Sequence, residues 1–197
     1  MHSQQGARLL PLISANFNYM SSSENIFTVL YSSTSPLQYN DNLNTVSFIH
    51  RKSPNYISFP DNNSGSIVAT IGKNFGTLWD STCVWTSSIE PGRYPQGGIY
   101  NPVGNTNPNN AYVVAMGPVI GNTGWEGNFY ASKSMSGVGT NTPGVDQQYL
   151  SDMLTSYPST QAKHSLSRNN FVSTDDGKVR SMAAMIDTIN ASNSATR

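Results

Sequence analysis

The chain has 197 residues, enough for one large domain or two small ones with a substantial core. Eleven basic residues balance eleven acidic ones, and charged side chains make up only 11% of the sequence, against roughly 25% in an average soluble protein. With no net field to steer a polyanion, the composition argues against nucleic acid as a partner.

Polar character comes instead from Ser, Thr, Gly and twenty-two Asn, together with ten Tyr. Asn and Gly tolerate the positive φ of tight turns, so this composition suits many short strands joined by polar connections and suits a bundle of long helices poorly. The 10% aromatic content and the regular apolar runs argue against disorder. One cysteine, Cys83, rules out an intrachain disulfide and thiol-rich metal sites, and in "STCVW" it reads as a small buried residue. His2, His50 and His164 lie far apart without metal-ligand spacing, so neither a metal nor another cofactor is expected.

From the N-terminus, "MHSQQGARLLPLISANFNYM" carries only a short apolar patch broken by Pro11, too short for a signal-peptide core or a membrane span. Strands are predicted at "NIFTVLYSS" (25–33), "NTVSFIHR" (44–51), "NYISF" (55–59) and "GSIVATIGK" (65–73), from their lengths, β-branched content and flanking turn residues. "SPLQYNDN", "KSP" and "PDNNSG" read as connectors, making the first eighty residues an antiparallel meander. His50, Arg51 and Lys52 read as a basic, solvated strand end. After "STCVWTSSI" comes a long loop, "EPGRYPQGGIYNPVGNTNPNN" (90–110), of a length that is often functional. "AYVVAMGPVI" and "WEGNFYASK" form a hairpin around "GNTG". Leu150, Met153, Leu154 and Tyr157 then stand at helical spacing before Pro158, predicting a helical insertion near 144–157. "KVRSMAAMIDTIN" fits a helix by period and a strand by its place after a glycine turn. The closing "NASNSATR" brings no hydrophobic closing element, and the chain is expected to be a segment of a longer protein.

Two segments share an outline. "GKNFGTLW" runs Gly72, Asn74, Gly76, Trp79, and "STDDGKVR" runs Ser173, Asp175, Gly177, Arg180. Both resemble the Asp-box, S-x-D-x-G-x-T-W, of sialidase-like β-propellers. The first departs from it at Gly72 and Asn74, the second at Val179 and Arg180. In such a turn a carboxylate or amide accepts backbone N–H bonds, glycine supplies the positive φ, and the Trp packs between sheets. Gly76 and Gly177 are 101 residues apart, and Gly124 of "GNTGWEGNFY" lies between them, 48 residues after the first. A period near fifty residues with about four strands per unit matches propeller blades. From "SIVATIGKNFGTLWDSTCVW" through "PGRYPQGGIYNP" to "GWEGNFYASK", and over roughly residues 8 to 190, the chain is similar to propeller proteins secreted by Bacteroidota, which often end in a type IX secretion sorting domain.

The resemblance implies an all-β protein, residues 1–197 forming one propeller-like segment of about three to four blades, whose ring would be completed by blades outside this chain or by another copy. It also implies a secreted or cell-surface location, and open sheet edges would invite self-association. Arg93 and Tyr94 in the long loop are the candidate ligand contacts, because a guanidinium fork and an aromatic ring suit sugar hydroxyls and carboxylates; packing on Pro95 and bonds to loop carbonyls are the alternative. Asn74, Gly76, Trp79, Ser173, Asp175 and Gly177 are expected to hold turns rather than do chemistry. Trp79, Trp85 and Trp125 fit either blade cores or a sugar-stacking platform. A sialidase-like site would need three converging arginines out of Arg8, Arg51, Arg93, Arg168 and Arg180, and a hydrolase needs a carboxyl pair. Glu90 and Glu126, with Asp80 or Asp146, are the candidate catalytic carboxyls. Asn62 and Asn190 fit the N-glycosylation pattern. The expected function is binding or scaffolding at a cell surface, with a glycan or another surface protein as partner; the alternative is a secreted glycoside hydrolase on the same scaffold.

Overall fold

The computed structural model of the chain describes residues 21–24, 36–53, 65–74, 76–87, 91–121, 124–137, 147–151, 165–174, 176–186 and 195–196. Within them the backbone forms strands β1 (Leu37–Asn40), β2 (Thr45–Arg51), β3 (Ile67–Lys73), β4 (Leu78–Trp85), β5 (Gln96–Tyr100), β6 (Tyr112–Gly121), β7 (Gly124–Ser134), β8 (Gln147–Ser151), β9 (Ser165–Ser173), β10 (Val179–Ile186) and β11 (Ala195–Thr196). The helical content among the described residues is two single 3-10 turns, Pro108–Asn110 and Met135–Gly137. Every strand pairing is antiparallel. The all-β expectation holds.

Three sheets result. β1-β2-β3-β4 and β5-β6-β7-β8 are four-stranded meanders in chain order, and β11-β10-β9 is three-stranded. β3, "IVATIGK", is buried along almost its whole length, as expected for a β-branched run inside a sheet covered on both faces. One face of the first sheet brings Ile49, Ile67, Ala69, Ile71 and Val84 against Ile99, Val113, Ala115, Val119 and Phe129 of the second. Trp85 stacks on Phe129 across this junction, with ring centroids 5.1 Å apart. Alternation of side chains along each strand is what delivers these residues to a common interior.

Ile99 of β5 ties the three sheets together. Its N–H donates to Gln38 Oε1 at 2.6 Å, from β1, and its carbonyl accepts from Ser173 Oγ at 3.0 Å, from β9.

The structure departs from the sequence reading in four places. The segment 90–110 is not one loop, since it contains β5, paired with β6 from Gln96↔Met116 to Tyr100↔Tyr112. "SPLQYNDN" is not only a connector, because Leu37–Asn40 pairs with β2. The described part of the expected helix, Gln147–Ser151, is a strand on the outer side of β7, with Leu150 opposite Phe129. There the ladder offered by β7 outweighs a period spread over few residues. Residues 144–146 and 152–157 of that segment lie outside the described residues, as do the strands expected at 25–33 and 55–59 and the sequons at Asn62 and Asn190. The ambiguous 179–186 is strand β10.

The fourth departure is the basic end of β2. His50, Arg51 and Lys52 are buried, not solvated. β2 is flanked by β1 and β3, and Lys52 continues into a bridge with Ser23, so this end has neighbours on both sides. His50 Nδ1–H donates to the Arg51 carbonyl at 2.9 Å, which leaves Nε2 to accept from the Ser21 and Thr70 hydroxyls, each at 3.0 Å. Burial pulls the His50 pKa down from 6.5 to about 4, only partly offset by the bond to Arg51. The unfolded chain therefore takes up a proton as pH falls through 6.5, whereas the folded chain stays neutral at this ring until about 4. Stability from this group is present above pH 6.5 and declines by about 3 kcal/mol as pH falls to about 4. Urea unfolding midpoints should drop over that window, and His50→Gln should flatten the drop; an unchanged slope in the variant would assign the acid sensitivity elsewhere.

Candidate functional site

The first sheet presents a second face, turned away from the shared core. Because the register aligns Tyr39↔Val46, Val46↔Gly72 and Gly72↔Trp79, these four residues form one row across β1 to β4. Two hairpin tips border the row. The β1–β2 tip places Asn44 in the left-handed region (φ 47°), closed by its N–H to the Asp41 carbonyl at 3.3 Å. In the β3–β4 tip, Asn74 (φ 50°) and Gly76 (φ 76°) are left-handed, Gly76 N–H donates to the Lys73 carbonyl at 3.1 Å, and Thr77 donates to the Asn74 carbonyl through both its N–H and its hydroxyl. Gly, Asn and Asp are the residues such tips require.

Between the tips lies a pocket of about 250 Å³ lined by Tyr39, Asn44, Val46, Gly76 and Trp79. Glycine at 72 makes its floor possible: a Cβ there would come within 2.5 Å of the Trp79 ring. The indole therefore packs over Gly72 of β3, half-buried, with Gly76 also close to its ring. Tyr39 is 54% exposed, and its hydroxyl donates to Asn44 Oδ1 at 3.3 Å. From behind, Lys73 Nζ fixes the β3–β4 tip by donating to Asn109 Oδ1 at 3.2 Å and to the Met135 carbonyl at 3.1 Å. Burial lowers the Lys73 pKa, and the charge of Asp80 opposes that shift.

Arg93 and Tyr94 lie elsewhere, on the strand-like approach to β5. Arg93 N–H donates to the Pro118 carbonyl at 2.8 Å, and its Nη1 donates to the Gly92 carbonyl at 2.9 Å. Tyr94 is left-handed at φ 41°. Both side chains are half-buried. The charge of Arg93 is felt by Arg51, whose pKa is lowered first by burial and then by Arg93, while Glu24 and Tyr94 act in the opposite direction. So two of the five candidate arginines lie close enough for the charge of one to be felt by the other. Arg180 is exposed on the β9–β10 hairpin, Arg8 lies outside the described residues, and Arg168 is placed in β9 by its backbone only.

The second Asp-box-like segment also closes a hairpin. Thr174 and Gly177 (φ 80°) form its tip, with Gly177 N–H donating to the Thr174 carbonyl at 2.9 Å. Gly177 faces the Tyr100 ring, as Gly76 faces Trp79. Asp176, bonded to Lys178 and Thr174, has its carboxyl held below the usual range by those two groups in that order. Asp175 lies outside the described residues. Of the candidate catalytic carboxyls, Asp80 is half-buried on β4, where its Oδ1 accepts the Ser81 N–H at 2.7 Å. Glu126 is placed in β7 by its backbone only, and Glu90 and Asp146 lie outside the described residues. Trp85 is a core residue; Trp125, like Glu126, is placed by its backbone only. Cys83 is buried, with its thiol 3.3 Å from the Trp85 carbonyl.

Among the described residues, no group of His, Cys, Asp or Glu could hold a metal ion, and no helix is long and apolar enough to cross a membrane. The sequence reading missed Tyr39, whose segment it took for a connector, and Asn44, which it took for the first residue of a strand. It found Trp79, though as a turn residue. No family model, no curated protein and no solved structure matches the chain.

Proposed function

We propose that this chain is a binding and scaffolding segment of a secreted or cell-surface protein, its antiparallel sheets serving as propeller-type blades, with a glycan as ligand. The observation that carries the reading is the pocket between two hairpin tips, where Trp79 and Tyr39 flank the Asn44 amide. An aromatic face beside an amide and a phenol is a combination that suits a ligand with alternating C–H and hydroxyl surfaces. The blade reading draws support from the glycine-containing hairpin tips at Gly76 and Gly177, in two different sheets.

A glycan array probed with the labelled intact chain tests the function. Retention on a coherent set of glycans, competed by the free saccharide, is expected. A chain that is folded by circular dichroism and retained by no glycan would remove the reading.

A further inference from the structure

The described lining of the pocket, Tyr39, Asn44, Val46, Gly76 and Trp79, contains no charged side chain. We propose that the pocket takes a single neutral pyranose ring of an uncharged glycan, stacked on the Trp79 indole with its hydroxyls bonded by Asn44 and Tyr39. This rests on the glycan-binding reading above and narrows it to one site and one class of saccharide.

Size comes first. Drug-sized ligands occupy pockets of about 300–1,000 Å³, and a pocket of about 250 Å³ falls just below that range, at the scale of one sugar ring. Shape follows from the two glycines. With no side chain at Gly72 or Gly76, the indole packs directly over both positions between the tips, and an aromatic surface held there suits the C–H side of a pyranose. Those C–H bonds carry partial positive charge and meet the negative face of the ring system. The polar edge is supplied by an amide, which both donates and accepts, and a phenol, which can do the same. The bond between Tyr39 and Asn44 holds the two in position before a ligand arrives.

Charge decides the class. A sialic acid carboxylate or a sulfate entering this pocket would lose water without meeting a cation among the described lining residues, which is unfavourable. Lys73 is held on the opposite face by Asn109 and Met135. Arg51 stands at the far end of β2 from Val46, about 17 Å away at strand rise, and Arg93 is beside it. A neutral hexose or N-acetylhexosamine meets none of these penalties.

The test titrates the intact ¹⁵N-labelled chain with the methyl glycosides of glucose, galactose, mannose and N-acetylglucosamine, and with lactose against 3′-sialyllactose. The readout is the Trp79 indole N–H resonance, assigned by its disappearance in Trp79→Phe. At least one neutral saccharide is expected to shift that resonance saturably, with sialyllactose binding no more tightly than lactose. Tyr39→Ala, at an exposed position that leaves the core untouched, should weaken binding at least about tenfold, and Val103→Ala, on a distant exposed turn, should not. Preference for the sialylated sugar, or binding that is lost in Arg93→Ala but kept in Tyr39→Ala, overturns this inference and leaves the binding reading standing. Failure of every saccharide to perturb the folded chain overturns both.

Discussion

Gly97→Ala is expected to destabilise the fold by at least about 3 kcal/mol. An ideal Cβ at this position would sit 2.0 Å from the Val114 carbonyl oxygen and 2.8 Å from the Ala115 Cα. Both obstacles are backbone, so no rotamer change relieves the contact. The strand pair itself, which aligns Gly97 with Ala115, would have to separate, and its separation would disturb the core that Ile99 and Ala115 share. For a chain of this length the loss corresponds to a fall in Tm of about 10 °C. Gly104→Ala is the control, because Gly104 is left-handed at φ 74° but has open space around it. Its loss should reflect backbone strain alone, about 1–2 kcal/mol. Equal losses at the two positions would mean that β5 and β6 are not packed this closely.

Phe129→Ala should cost about 3–5 kcal/mol. The side chain is fully buried, and its ring lies against Trp85 of the first sheet and over Gly117 of its own. Removing it opens a cavity at the point where the two four-stranded sheets meet, and the rigid ladders on either side limit how far they can relax into it. The near-ultraviolet circular dichroism of Trp85 should weaken along with the unfolding midpoint. A loss below about 1.5 kcal/mol with an unchanged aromatic signal would show that the sheets join through other contacts.

Much of the architecture was legible in the sequence, for reasons that also explain the failures. β2, β3, β6 and β7 announce themselves by β-branched, alternating runs bounded by turn residues. β5, "QGGIY", does not. Its glycines read as turn signals, whereas in the structure Gly97 admits the β6 backbone and Gly98 admits Gln38. β8 was hidden because the helical spacing that suggested a helix is carried mostly by residues after it, Met153, Leu154 and Tyr157, while the strand Gln147–Ser151 itself carries too few apolar residues to show its own period. His50, Arg51 and Lys52 looked solvated because charge is usually exposed; their burial follows from the central place of β2, which depends on pairing across the sheet.

The pocket illustrates the same limit. Gly76 and Trp79 were found from local spacing, and the hairpin tip they build is a local object. Tyr39 and Asn44 reach them only through the register of three successive strand pairs, which no short window of sequence contains. Arg93 and Tyr94, chosen for their chemistry and their place in a long loop, lie instead beside Arg51 at the opposite end of β2.

Ile99 bears on the timing of folding. Its N–H partner is 61 residues earlier in the chain and its carbonyl partner 74 residues later. Neither bond can form through local structure, and each requires a long loop to close first, at an entropic penalty that grows with loop length. The hairpins can assemble in microseconds from their own turns, but β5 acquires its full set of partners only when the first sheet and the β9–β10 hairpin have both arrived. Long-range closure of this kind favours slow folding, so the docking of the sheets around β5 is expected to be slower than the closing of each hairpin, which stopped-flow refolding of Ser173→Ala against the parent chain would test.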